Sequence, residues 1–304
     1  MFQAIARQPS LGRAGTGKYD AAAMHHVLIV VHHHDSFDKE RYVLREVAEA
    51  WRERGIRVTV ARGPGERVEA DLVVLHVDLT VTPAEYIAFA RQYQNVINRD
   101  VADISKRAIS ANLVRRGDGY DGPLIVKTDR NSGGSRERML DERMGGPRRQ
   151  RWRRLRHRLP WSWQSHLPTT AYPVFESPRQ VPRAVWYNPA LVVERFLPER
   201  RDGHYCLRTW VFLGERETNS LSYASDPVVK SHNILRREVV AEVPDELRRM
   251  RRALGFDFGK FDYALVDGKV VLYDVNRTPM FGTMRREEYW PRVQLLAEGI
   301  GEFL

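Results

Sequence analysis

Two carboxylates and one carboxamide stand on a pair of apolar segments near the C-terminus. The stretch Gly259–Pro279 reads GKFDYALVDGKVVLYDVNRTP. Its apolar runs, Phe261–Val266 and Val270–Val275, flank Asp267-Gly268, a dipeptide that favours tight β-hairpins. Asp262 interrupts the first run, Asp274 the second, and Asn276 follows. Residues two apart on a strand share a face, so Asp274 and Asn276 project together. Such an oxygen-only donor set suits Mg²⁺, with Mn²⁺ as the alternative, better than Zn²⁺. Acids on a surface hairpin are usually just solvated. The Val, Leu, Phe and Tyr around these two argue for a site instead. A two-residue turn with regular pairing would put Asp262 and Asp274 on opposite faces. An odd-length turn or a β-bulge is therefore expected, because either brings them face to face.

Cations precede this hairpin. PLIVKTDRNSGGSRE reads as a strand bearing Lys127, then a loop with Ser132, Gly133 and Gly134. Small residues leave backbone N–H groups free to meet an anion. DISKRAISANLV reads as a helix around Lys106. CLRTWVFLG, 206–214, reads as a strand whose Arg208 can grip a phosphate or acyl phosphate bidentately. The loop Asp226–Asn233 carries Lys230 and His232. Lys106, Lys127 and Arg208 could neutralise a triphosphate while the acids hold a bridging metal, which is the electrostatics of phosphoryl transfer. No Walker A sequence, Ser-His-Asp motif or zinc spacing competes.

This ordered set, over about residues 95–304, resembles the ATP-grasp superfamily, the ATP-binding fold of the glutathione synthetase and D-alanine–D-alanine ligase type. The resemblance implies Asp262, Asp274 and Asn276 as Mg²⁺ ligands, with Asp262 standing where the superfamily more often has Glu. It implies Lys106 and Lys127 on phosphates and the Ser132-Gly133-Gly134 loop over the triphosphate. It places LVVERFL, 191–197, at the interlobe hinge, with Glu194 and Glu199 near adenine and ribose. Arg208 and Lys230 are then the catalytic cations. The implied reaction is carboxylate activation by ATP as an acyl phosphate, then attack by an amine. A kinase of the same fold is the alternative. A nucleotide-binding regulator or a nucleic-acid-binding protein is a third reading.

Elements positioning these residues follow from periodicity. HHVLIVV, IRVTVA and LVVLHV read as strands, and Asn95–Asn98 as a fourth. Phe37–Arg54 has a helical apolar period ended by Gly55. Thr82-Pro-Ala-Glu85 reads as a helix start with Thr82 as N-cap. Strand–helix alternation means a small, mostly parallel α/β domain. The expected fold is α/β with α+β lobes: an extension at 1–23, a parallel domain at 24–98, a small central lobe at 99–190, and a C-terminal lobe at 191–304. Asp245–Leu254 and Leu295–Leu304 read as helices. His32–Asp35 follow the first strand's C-terminal end, an edge where α/β sheets bind ligands, and are read as substrate contacts rather than metal ligands.

The 304 residues include 49 Lys and Arg against 39 acids, a net charge of +10, with 42% hydrophobic and 29% charged residues. That is an ordinary globular composition, with no apolar run of membrane-spanning length. Cys206, the single cysteine, excludes an internal disulfide and fits a cytoplasmic protein; it reads as a buried structural thiol. Residues 1–23 are acid-poor and lack a signal-peptide core, and Met24 is an alternative start. Segment 138–165 interleaves Arg with three Trp and reads as a peripheral insertion. Contact with nucleic acid, contact with an anionic membrane, and a solvated helix are its three readings. Expected partners are a small carboxylate and a nucleophile, a polyanion at 138–165, and a second copy of the chain.

Overall fold

The computed structural model describes residues 25–144, 159–169, 172–282 and 284–304. His26–Val31 (β1), Arg57–Arg62 (β2), Leu72–His76 (β3) and Val96–Ile97 (β4) form a parallel sheet ordered β2-β1-β3-β4. β1 is buried along its whole length, as a strand covered on both faces must be. Val27, Ile29 and Val31 face helix α1 (Val43–Glu53), and Leu28 and Val30 face α2 (Ala84–Ala90).

The small lobe is a three-stranded antiparallel sheet. Leu124–Thr128 (β5) lies between Val174–Phe175 (β6) and Leu191–Arg195 (β7). Short helices α3 (Lys106–Ile109) and α5 (Arg183–Tyr187) flank it, and α4 (Ser135–Met144) follows the glycine loop. The large lobe is a six-stranded antiparallel sheet. Its strands are Glu199–Arg201 (β8), His204–Leu213 (β9), Arg216–Ala224 (β10), Ile234–Val239 (β11), Phe258–Val266 (β12) and Lys269–Asn276 (β13). The order is β11-β10-β9-β12-β13, with β8 on β9. Trp210, Phe212, Phe261 and Tyr263 on its outer face pack with Leu247 of α6 (Asp245–Ala253). The expected mixed α/β architecture is therefore present, with a parallel domain followed by two antiparallel lobes.

Local departures have physical causes. The first helix begins at Val43, not Phe37, because Tyr42 bridges to Met280 and the Val43 N–H donates to Pro279 O. Thr82 is not an N-cap: α2 starts after Pro83, and the buried Thr82 hydroxyl accepts from Arg277. The helix at Lys106 is four residues long, because the chain beyond it runs extended and Leu113 bridges to Glu194. The C-terminal helix α7 (Arg286–Ala297) starts nine residues before the expected Leu295, around an internal Pro291 that disguises it in sequence. It packs on α1, with Trp51 Nε1 donating to Ala297 O at 3.0 Å. The last segment thus completes the first domain's core rather than belonging to the C-terminal lobe alone. The extension at 1–23 and residues 145–158 of the insertion lie outside the described residues. Within the insertion Trp161 packs on the small-lobe core, whereas Trp163 is exposed.

Two buried polar residues bind the units together. Asn98, in the left-handed region at φ 61°, donates to Phe258 O at 2.8 Å and accepts from the Asp257 and Phe258 N–H groups. Arg277, directly after β13, is caged by the carbonyls of Leu79, Thr80 and Val101. Asn and Asp tolerate positive φ better than most side chains, and a buried guanidinium needs such acceptors.

Candidate functional site

The hairpin fixes the acids. Asp267 and Gly268 both have positive φ, 51° and 76°, which is the two-residue turn favoured by Asp-Gly. Val266 faces Lys269, and pairing is regular as far as Tyr263 opposite Leu272. There the register shifts. Tyr273 is the extra residue of a bulge, and Asp262 lies directly opposite Asp274. The expectation of a bulge is met, and the alternative of a three-residue turn is not. Lys260 pairs with Asn276, so Asp262, Asp274, Lys260 and Asn276 share one face. Asp262 also pairs with Thr209 of β9, whose hydroxyl donates to Asp262 Oδ1 at 3.0 Å.

Cations converge on this face. Lys106 Nζ lies 2.6 Å from Asp274 Oδ1, and Lys260 Nζ 2.7 Å from Asp262 Oδ2. Burial alone would raise the Asp274 carboxyl, but Lys106, Lys260 and Lys127 outweigh it and hold the group below its ordinary value. Lys127, on β5, pairs with Glu194 of β7 at 2.7 Å. The Glu194 Oε1 atom is buried without a hydrogen-bond partner. Lys230 lies over the Tyr172 ring, 5.3 Å from its centroid, and burial pulls its pKa down despite Asp274 and Asp262.

These groups line a cavity of about 1070 Å³ between the small and large lobes. Among the described residues, Lys106, Lys127, Lys230, Lys260, Arg138, Arg195, Arg237 and Arg292 line it, against Asp262 and Asp274. Such an excess of positive charge in one cleft draws a polyanion. Ile125, Phe196, Leu207 and Tyr273 give it an apolar flank. The glycine loop borders it at Ser132, where three successive residues, Ser132, Gly133 and Gly134, have positive φ. A Cβ on Gly133 would come within 2.6 Å of Leu167 O, so the loop's path requires glycine there.

Some sequence expectations are corrected. Arg208 and Glu199 are outside the cleft. Neighbours on β9 alternate, so Arg208 points to the face opposite Thr209, where it grips Glu199 through Nε at 2.8 Å and Nη2 at 2.9 Å. Glu199 Oε2 also accepts from the Leu265 N–H. Both residues are buried, so neither is placed to touch phosphate or ribose. His32–Asp35 do not line the cleft either. His32 stacks on His33 at 4.2 Å, and His33 Nδ1 contacts Tyr86 Oη at 2.9 Å. Burial raises the thiol pKa of Cys206, which does not favour a thiolate nucleophile.

Several site residues escaped the sequence reading. Lys260, two positions before Asp262 on the same strand, was available from the period-two rule. Thr209, Tyr172 and Tyr273 carried no sequence signal, because register and a bulge place them. Among the described residues no group of three or more His, Cys, Asp or Glu side chains is spaced to hold a metal ion. The donors at the hairpin are two facing carboxylates and the Asn276 amide, whose Oδ1 accepts from the Thr278 N–H at 2.8 Å. An all-oxygen set of this charge fits a hard divalent cation. Among the described residues no helix is long and apolar enough to cross a membrane.

No protein-family model matches the chain, and no curated protein matches it in sequence. Solved structures do align with it. A RimK-domain ATP-grasp protein from Sphaerobacter thermophilus DSM 20745 aligns at TM-score 0.47 and 13% identity, over 90% of this chain and 99% of that one. The D-cycloserine synthetase DcsG aligns at 0.47 and 14%, over 90% and 99%. The ATP-grasp ligase PsnB, complexed with a minimal precursor, aligns at 0.48 and 15%, over 90% and 98%.

Proposed function

We propose that the chain is an ATP- and Mg²⁺-dependent ligase that activates a carboxylate as an acyl phosphate and transfers the acyl group to an amine. The observation that carries this reading is the facing pair Asp262 and Asp274, ringed by Lys106 and Lys260 in a cleft of eight cations. Two facing carboxylates suit a divalent cation, and a cleft lined by eight Lys and Arg against two acids suits a polyanion. A metal-bound nucleoside triphosphate satisfies both.

In this reading Asp262, Asp274 and Asn276 hold the metal, which supplies neutralisation of the phosphate oxygens when bound. Lys106 and Lys127 exchange their carboxylate partners for phosphate oxygens. Backbone N–H groups of Ser132, Gly133 and Gly134 lie over the phosphates. Ile125, Phe196, Leu207 and Tyr273 take the base, and the unpartnered Glu194 Oε1 accepts from its amino group. A substrate carboxylate oxygen attacks the terminal phosphorus, and the bond to the bridging oxygen breaks with release of ADP. The amine then attacks the acyl carbon, and phosphate leaves with the electron pair of the broken C–O bond. Lys230, which lines the cleft, balances charge on the transferred group.

The test is ADP release by the purified protein against a panel of carboxylates, each with and without amines. Dependence on both partners is expected. Dependence on a single hydroxyl or phosphate compound would make the protein a kinase.

A further inference from the structure

The cavity continues past the lysines towards β11 and α7. Arg237 of β11 pairs in register with Ser222 of β10, and Ser222 pairs with Leu207 of β9. Directly paired residues share a face, so Arg237 stands on the cleft side of the sheet. Its strand is three spacings from that of Asp262, roughly 14 Å across the sheet at the usual interstrand distance. Nε of Arg237 donates to Ser222 Oγ at 3.1 Å, and Nη1 lies 3.5 Å from Met284 Sδ. Arg292, on α7, lines the same end of the cavity. Burial lowers the Arg237 pKa and the charge of Arg292 lowers it further, outweighing the opposite pull of Asp262, so the two guanidinium groups feel one another.

Among the described residues neither arginine makes a salt bridge; the nearby Glu288 carboxylate is engaged by Arg285 at 2.9 Å. Asp262, the acid of this cavity that acts on Arg237, is itself held by Lys260 at 2.7 Å, so the two like charges are left to repel, and an anion between them removes the cost. Planar guanidinium forks match a carboxylate's two oxygens. Val211, Phe281, Met284 and Leu296 provide an apolar wall beside them.

We infer that the substrate of this site carries a second carboxylate, gripped between Arg237 and Arg292, with its carbon skeleton against Val211, Phe281, Met284 and Leu296. The identity of the first, activated carboxylate rests on the ligase reading; the arginine pair does not. The substrate class is then a dicarboxylate or an acidic amino acid or acidic peptide end, rather than a simple fatty or amino acid.

The experiment is calorimetric titration of the full chain with succinate, glutarate, adipate and glutamate, and with the corresponding monoamides, alongside a separate Mg-ATP titration. At least one dicarboxylate should bind about tenfold or more tightly than its monoamide. Arg237→Gln and Arg292→Gln should each remove that discrimination while melting cooperatively near the wild-type temperature. The inference is overturned if no dicarboxylate binds, if acid and monoamide bind alike, if inorganic phosphate binds in preference to them, or if both variants discriminate as wild type does. Mg-ATP binding without dicarboxylate discrimination removes this inference and leaves the ligase reading. Discrimination without Mg-ATP binding removes the ligase reading and leaves the arginine site.

Discussion

Lys106 and Asp274 are 168 residues apart in sequence, and their charged atoms are 2.6 Å apart. The contact spans the cleft from the small lobe to the large one. It is one of three such pairs, with Lys127–Glu194 and Lys260–Asp262, in which a cleft lysine is neutralised by a carboxylate. Each is an internal substitute for a ligand. In the proposed ligase, incoming phosphate releases the lysines, and an incoming metal takes over Asp262 and Asp274.

Asp274→Asn tests this exchange. Turnover should fall about 100-fold or more, as expected when charge opposite a transferred phosphoryl group is lost. Asp274 is about a third exposed but Lys106 is buried, so weakening their pair should cost about 1–3 kcal/mol of stability. ADP release and chemical denaturation measured on the same preparation separate the two effects. Wild-type turnover in the variant would remove Asp274 from the metal set.

Gly133→Ala should damage the loop and spare the fold. Gly133 has φ 69°, and an added Cβ meets the Leu167 carbonyl oxygen. Forcing a side chain into such a conformation costs about 1–3 kcal/mol. Ser132, beside it, is exposed and lines the cleft, so the displaced loop should show as weaker ATP binding at a nearly unchanged melting temperature. Unchanged affinity would show that the loop does not cover the phosphates.

Arg208→Met should behave as a stability mutation. Arg208 and Glu199 form a bidentate pair on the sheet face away from the cleft. Removing one partner of a buried pair strands the other, at about 3–5 kcal/mol, whereas replacing both is far milder. Arg208→Met should therefore unfold more easily than the Arg208→Met, Glu199→Gln double variant, with KM for ATP unchanged in both. A large change in KM at intact stability would return Arg208 to the active site.

The residues that the structure gathers at the cleft are legible in sequence where chemistry and periodicity coincide. The acids of the hairpin, the lysine of β5 and the glycine loop each sit on elements whose alternation or composition is visible locally. The bulge at Tyr273 was derivable because only a register shift lets two such acids meet. Arg208 was misplaced for the converse reason. Its residue type suits phosphate, but the face it occupies depends on the pairing of β9 with β12, which sequence alone did not supply. Arg237 and Arg292 carried no signal at all. They meet through the return of α7 over β10, a long-range packing event without a local pattern, made harder to see by Pro291 inside the helix.

His76 makes a prediction about pH. It is fully buried on β3, neither ring nitrogen has a hydrogen-bond partner, and Tyr42 and Phe37 meet its ring edge-on. Burial, with Arg277 and Arg136 adding to it, lowers its pKa from 6.5 to about 3. Below pH 6.5 the unfolded chain takes up a proton that the folded chain refuses. The stability this confers is present above pH 6.5 and is lost as pH falls towards 3, by up to about 1.4 kcal/mol per pH unit. Asp35 acts in the opposite sense, because burial and Asp78 raise its pKa from 3.8 to about 6. Its contribution is present below pH 3.8 and is lost as pH rises through 6. Between about pH 4 and 6 the two slopes oppose one another. His76→Leu removes one of them, so the variant should gain stability relative to wild type as pH is lowered from 6.5 to 4. Denaturant melts of both proteins across pH 4–8 measure this directly. Parallel stability curves over that range would mean that His76 is not held neutral in the folded protein.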